Sequence, residues 1–207
     1  MTDKLFITLE GIEGVGKTSA VDCVATWLRT RGRGVTVTRE PGGSQLGERV
    51  RALVLEHNGV PIAPLAELLL MFAARAQHLE ERIRPALARG DAVVCDRFTD
   101  ATYAYQGGGR GLPLAQIDAA AALVHGDLQP TLTIVLDAPP ELGLSRARAR
   151  GAADRFEAEQ LSFFERVRQT YLDLARRQPL RFVVIDATQD LTRVHDAIRS
   201  RLSERVT

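Results

Sequence analysis

The chain has 207 residues, enough for one domain with a sizeable buried core and too few for two of ordinary size. Lys and Arg number 27 against 26 Asp and Glu, so the net charge of +1 offers no global field for a nucleic acid, and a phosphate-bearing ligand must be gripped locally. No apolar stretch is long enough for a signal peptide or a membrane span, which predicts a cytoplasmic protein, and Cys23 and Cys95 lie in no metal-ligand spacing and read as buried reduced thiols.

An apolar run at 5–9 opens the chain as a buried strand, and a glycine-rich turn at 11–18 leads into a helix over 19–31. A second strand at 35–38 runs into Thr38, Arg39, Glu40, Pro41, Gly42 and Gly43, with a helix over 46–57 beyond. The next helix, 65–89, has the clearest period: Leu65, Leu68, Leu69, Phe72, Ala76, Leu79 and Ile83 recur at three and four residues on one stripe. Pro85 should kink or interrupt it, and Gly90 should stop it. A third strand at 92–95 ends at Asp96 and Arg97, and the glycines at 107–111 read as a mobile loop. Helices over 114–125, 140–150, 157–177 and 191–205 then alternate with strands at 132–136 and 182–185. Five apolar strands alternating with helices predict an α/β domain with a doubly wound, five-stranded parallel sheet.

The turn at 11–18 matches G-x-x-x-x-G-K-[ST], directly after a strand and directly before a helix. Gly11, Gly14 and Gly16 allow the tight turn that aims backbone N–H groups and a helix N-terminus at a polyphosphate; Lys17 adds charge, and the Thr18 hydroxyl can ligate Mg²⁺. Such loops serve kinases, GTPases and motors alike, but the Asn-Lys-x-Asp and D-x-x-G patterns of a GTPase are absent from this sequence. At the carboxyl end of the third strand, Asp96 can hold the Mg²⁺ shell and Arg97 can fork onto a second phosphate. Arg39 stands in the equivalent place on another strand, and two arginines converging there suggest a phosphorylated acceptor.

Residues 38–43, Asp96-Arg97-Phe98 leading to Ala104-Tyr105-Gln106, and Glu13 within the phosphate loop together resemble bacterial thymidylate kinase, over essentially the whole chain. The segments 72–75, 136–137, 146–155 and 185–188 fall in that family's order. The resemblance implies a P-loop kinase fold, phosphoryl transfer from ATP to dTMP giving dTDP and ADP for dTTP synthesis, Mg²⁺, and a homodimer packed through helices. It implies an ATP site of Gly11, Gly14, Val15, Gly16, Lys17, Thr18, Ser19, Arg146, Arg150 and Ala187, with Thr18 and Asp96 on the metal. The dTMP site would comprise Glu13, Arg39, Pro41, Phe72, Arg75, Arg97, Thr102, Tyr105 and Gln106. Lys17, Arg97 and Arg150 would be catalytic.

In that family Phe72 would stack on the thymine ring and Arg75 meet its O4 edge. Their i, i+3 spacing puts them on one helix face, and although Phe72 alone reads as core, a guanidinium on an apolar stripe needs an acceptor. Thr102 would bond the base, Tyr105 would pack under the sugar and disfavour a 2′-hydroxyl, Gln106 would add a polar contact, and Glu13 would meet the 3′-hydroxyl. Ala101 departs from the family, which often has Ser there. Gly14 stands where some members carry a catalytic arginine, so the charge would come from a basic lid over about 143–156. Arg146 and Arg150, four apart on one helix, repel unless an anion joins them; Arg146 and Arg148 read equally well as a solvated face, and Arg150 is assigned to the transferring phosphoryl.

A nucleotide 5′-phosphate is already largely ionised near neutrality, so the reaction needs positioning and charge neutralisation rather than a general base. His57, His78, His125 and His195 accordingly read as structural or surface residues. Three alternatives rank below: a kinase for another small acceptor, a P-loop ATPase without an acceptor, and a non-catalytic nucleotide-binding module.

Overall fold

The computed structural model describes residues 4–56, 61–149 and 154–206. Strands β1 (Phe6–Glu10), β2 (Val35–Arg39), β3 (Ala92–Asp96), β4 (Leu132–Asp137) and β5 (Phe182–Asp186) form one parallel sheet in the order β2-β3-β1-β4-β5. Each strand runs one residue past its apolar run, and the added residues are Glu10, Arg39, Asp96, Asp137 and Asp186. Register sets these ends side by side: Arg39 and Leu9 both pair with Asp96, and Asp137 pairs with Asp186. The winding reverses direction at β1, so a crevice opens beyond the carboxyl ends of the central strands, where open parallel sheets take ligands.

The helices are α1 (Lys17–Arg29), α2 (Gln45–Leu55), α3 (Pro64–His78), α4 (Arg84–Ala88), α5 (Thr99–Thr102), α6 (Leu114–Val124), α7 (Pro140–Arg148), α8 (Leu161–Arg177) and α9 (Leu191–Arg205). Local chemistry accounts for several of their starts. Pro64 pre-sets the first turn of α3, while Ser44 and Asp190 cap α2 and α9 by accepting from Gly47 N and Arg193 N at 3.0 Å. On α8, Phe163, Phe164, Val167, Tyr171 and Ala175 form a buried stripe at helical spacing, where each fully buried Phe or Val contributes roughly 1.5–3 kcal/mol.

One expectation is refined and three are corrected. The periodic stretch at 65–89 is interrupted ahead of Pro85, by a π-helical turn at Leu79–Ile83, because Pro85 has no N–H to continue the ladder and its ring crowds the preceding turn. The helix expected from 157 begins at Leu161, since Asp154 accepts from the N–H groups of Phe156 and Glu157 and holds that segment as a turn. The stretch 107–111 is not a free loop: Tyr103–Gly109 is π-helical, and Gly107 and Gly109 are buried. A side chain at Gly109 would overlap the Phe163 ring, so glycine is what lets this backbone lie directly on α8. The helix expected to reach 150 ends at Arg148, and Arg150 itself lies outside the described residues, as does His57.

The core occupies both faces of the sheet. Ile7 and Leu9 of β1 pack in the cluster with Val24 and Leu28 of α1 and Ile198 and Leu202 of α9. Phe6 points the other way, into Leu79, Ile83, Val93 and Phe98, with the Phe6 and Phe98 rings edge to face at 5.0 Å. Thr8 and Glu10 share the Phe6 side, which carries polar groups under the crevice: Thr8 and Thr133 bond across the strands at 3.0 Å.

Candidate active site

At the end of β1 the chain turns through Gly11, Gly14 and Gly16, with φ of 133°, 73° and 93°, before α1 begins at Lys17. No side chain caps α1 and no acidic residue lies in its first turn, leaving N–H groups for an anion. Lys17 Nζ donates to Ile12 O at 2.7 Å and Gly11 O at 3.2 Å; burial first, and the Arg97 charge second, pull its pKa down to about 8. Gly14 has a second reason to be glycine. A Cβ there would overlap the backbone carbonyl of Gly143, so α7 rests on the phosphate loop and leaves no room for an arginine.

A cavity of about 210 Å³ opens beside this loop, lined by Glu13, Gly14, Gly16, Lys17 and Thr18 on one side. Arg39, Pro41, Arg51, Met71, Arg75, Thr102, Tyr105 and Gln106 line the other, and Asp96 and Arg97 lie between. Lys17 and Thr18 of the phosphate loop thus share one space with Arg39, Arg75, Thr102, Tyr105 and Gln106.

Arg97 is the one non-glycine residue with positive φ, 69°, among the described residues. Its Nη2 donates to Glu13 Oε1 and to Tyr105 Oη, both at 2.9 Å, its Nη1 donates to Tyr171 Oη at 3.2 Å, and its guanidinium lies 4.6 Å from the Tyr105 ring centroid. Tyr105 Oη also donates to Glu13 at 2.8 Å. The partners of the Glu13 carboxylate are therefore an arginine and a phenol, which offset the repulsion it would exert on a phosphate. Asp96 Oδ1 is buried and without a hydrogen-bond partner, and Asp96 and Thr18 both line the cavity. An orphaned carboxylate oxygen and a hydroxyl, both hard oxygen donors, fit Mg²⁺, which takes few protein ligands and fills its shell with water and phosphate oxygens.

The acceptor wall is bonded together in advance. Arg75 donates through Nε to Glu40 Oε2 at 2.7 Å and through Nη2 to Phe98 O at 3.2 Å and Thr102 Oγ1 at 3.0 Å, while its buried Nη1 has no partner. Glu40 Oε1 meets His78 Nδ1 at 2.9 Å, and His78 Nε2 meets Thr38 Oγ1 at 2.6 Å, so His78 is a buried support. Gln106 Nε2 donates to Glu67 Oε1 at 2.8 Å, which leaves its amide oxygen as an acceptor toward the cavity. Glu67 also receives Arg155 Nη2 at 2.6 Å and Arg110 Nε at 3.3 Å, tying the end of the 143–156 stretch and the turn after Gly109 to α3. Arg39, on the rim, pairs with Glu48 at 2.9 Å.

One assignment on this wall changes. Phe72 is absent from the cavity lining; it is buried with Leu68, Ile117 and Ala121 toward α6, although Arg75 lies 4.8 Å from its ring centroid. Met71 lines the cavity in its stead. It stands four residues before Arg75, a spacing that shares a helix face as well as three does. Arg51 was also missed. It is half-buried on α2, donates to Pro41 O at 3.1 Å and faces the cavity; lying between the buried Val50 and Val54, it carries no motif signal.

On the lid side, Arg146 Nη1 donates to Ala187 O at 2.8 Å, joining two residues expected at the ATP site, and Arg148 is exposed. Val15 is buried beneath the loop, and the Ser19 hydroxyl bonds His195 Nε2 at 3.0 Å. No group of three or more His, Cys, Asp or Glu side chains forms a metal cage among the described residues.

The family profile described as thymidylate kinase matches residues 9–198. A thymidylate kinase of Pseudomonas syringae pv. syringae (strain B728a) is 56% identical over 200 residues, covering 97% of this chain and 95% of that protein. One from Pseudomonas putida (strain W619) is 57% identical over 198 residues, 96% of each. The crystal structure of a thymidylate kinase from Ehrlichia chaffeensis superposes with a TM-score of 0.78 at 35% identity, covering 96% of this chain and 98% of that one.

Proposed function

This chain belongs to the thymidylate kinase family, and we infer from that premise that it transfers a phosphoryl group from ATP to dTMP, giving dTDP and ADP on the way to dTTP. The observation that carries this reading is the single cavity in which the phosphate loop and the arginine-lined acceptor wall face each other. The whole chain acts as one kinase domain, with a lid over about 143–156.

The division of labour follows from what each group can do. Gly11, Gly14, Val15, Gly16, Lys17, Thr18 and Ser19 form the donor loop, with Arg146 and Ala187 beside it. Arg150 neutralises charge on the transferring phosphoryl, the role a lid must fill because Gly143 excludes a side chain from Gly14. Arg39 and Arg97, with Arg51 added, align the acceptor phosphate. Arg75 gives its free Nη1 to a carbonyl on the base, Thr102 and the Gln106 amide oxygen bond the base edge, and Met71 forms the apolar platform. Tyr105 and Glu13 border the sugar. Thr18 and Asp96 would hold Mg²⁺, which when bound screens the negative charge of the polyphosphate.

No helix among the described residues is long and apolar enough to cross a membrane, and both cysteines are buried and unbridged. A cytoplasmic enzyme fits these features, and the near-neutral charge of +1 fits small nucleotides as ligands. Leu53 on α2 and Leu65 and Leu69 on α3 are exposed on two helices that pack together, which supports a homodimer through these helices; light scattering reads it directly.

A coupled ADP-release assay with ATP and a panel of nucleoside monophosphates tests the reaction. The expected result is turnover that requires an acceptor and favours dTMP. Turnover without an acceptor, or equal rates on dTMP and CMP, would overturn it.

A further inference from the structure

We propose that Tyr171 is a positioning residue for phosphoryl transfer: its hydroxyl, anchored on Glu10, holds the Arg97 guanidinium between the phosphate loop and the acceptor wall. The inference rests on Arg97 acting on phosphate as described above. Tyr171 does not line the central cavity, so it can reach a bound substrate only through another residue. Its ring is buried in the α8 stripe, and its hydroxyl accepts from Arg97 Nη1 at 3.2 Å and donates to Glu10 Oε2 at 2.8 Å. Glu10 Oε1 in turn accepts from Phe98 N at 2.8 Å.

The anchor is joined to the backbone on both sides of the same turn. Glu10 ends β1, and Phe98 follows Arg97, whose own N–H donates to Leu9 O at 3.0 Å. Arg97 needs such restraint. It sits in a left-handed backbone conformation, and its charge opposes that of Lys17 across the cavity. Glu13 and Tyr105 hold it from the substrate side, where ligands compete for the same groups, whereas Tyr171 holds it from behind, where none reaches. Burial first, and the Glu10 charge second, push the Tyr171 hydroxyl well above its ordinary range, so it keeps its proton and its bonding pattern.

The test is a double-mutant cycle of Tyr171→Phe with Arg97→Ala, read as kcat/KM for dTMP alongside melting temperature. Tyr171→Phe alone is expected to lower kcat/KM about tenfold, the scale of one hydrogen bond to a charged group, and to change nothing further once Arg97 is gone. An equal loss in both backgrounds, or no loss in the single variant, overturns the proposal. Full activity of Arg97→Ala would instead overturn the role of Arg97 itself, so the two failures are distinguishable. Should Tyr171→Phe fail to fold, Glu10→Met enters the same cycle with the same expected pattern, because it removes the carboxyl oxygen that accepts from Tyr171 and leaves the phenol in place.

Discussion

The two halves of the cavity are built in different ways. On the acceptor side nearly every polar side chain already has a protein partner: Arg75 on Glu40 and Thr102, Gln106 on Glu67, Arg39 on Glu48, Arg97 on Glu13 and two tyrosines. On the donor side the contacts are largely to backbone. Lys17 bonds the carbonyls of its own loop, Arg146 bonds Ala187 O, and α1 presents uncapped N–H groups. A base and a sugar differ from their rivals by single atoms, and telling them apart requires donors and acceptors fixed beforehand at defined angles. A polyphosphate is read chiefly as charge, for which main-chain dipoles and a few cations suffice.

That contrast predicts that donor-side changes fall on kcat, and acceptor-side changes on dTMP recognition and on stability together. The largest effect should come from Arg150→Ala, with kcat lower by about 10² or more and the KM for dTMP little altered, as for a contact made mainly in the transition state. An unchanged kcat in steady-state assays would remove Arg150 from the reaction.

Arg75→Ala comes next. It should lower kcat/KM for dTMP by about tenfold to a hundredfold, leave the KM for ATP unchanged, and destabilise the fold by about 3 kcal/mol, because the buried Glu40 carboxylate loses its guanidinium and keeps only His78 as a partner. Denaturant titration and kinetics on one preparation check both. If recognition fails while stability holds, the acceptor wall is less preorganised than its bonding implies.

Met71→Ala and Phe72→Ala decide which side chain faces the base. Met71→Ala should raise the KM for dTMP several-fold, and Phe72→Ala should cost about 3–5 kcal/mol of stability with KM nearly constant in the folded fraction. The opposite pattern would restore Phe72 to the base.

The last prediction concerns Glu10, beneath both halves. Burial first, and the Asp100 charge second, push its carboxyl from an ordinary 4.5 up to about 8. The folded protein therefore binds more protons than the unfolded chain between about 4.5 and about 8, and stability falls as pH rises through that window. Relative to wild type, Glu10→Gln should show a flatter melting temperature between pH 5 and 8.5, and parallel curves would mean that Glu10 does not titrate there.

Much of the site was legible because its signals are contiguous. The phosphate loop, the Asp96-Arg97 pair and the Thr102, Tyr105 and Gln106 series all line the cavity through Lys17, Thr18, Asp96, Arg97, Thr102, Tyr105 and Gln106. The glycines at 107–111 misled for a physical reason: composition marks a backbone free to move, and the same absence of side chains lets it pack tightly on Phe163 and Thr170. Arg150 and part of the lid fall outside the described residues.

By itself, the sequence determined the strand–helix alternation, the sheet and the phosphate grip, because hydrophobic period and a short glycine pattern act over a few neighbouring residues. Only the tertiary structure decided which apolar residue of α3 meets the cavity. Met71 and Phe72 are both buried, one against the cavity and one against α6, and periodicity cannot distinguish a core from a pocket. It also decided that Arg97 is held from behind by Tyr171, 74 residues away, since that contact exists only once α8 has docked against the sheet.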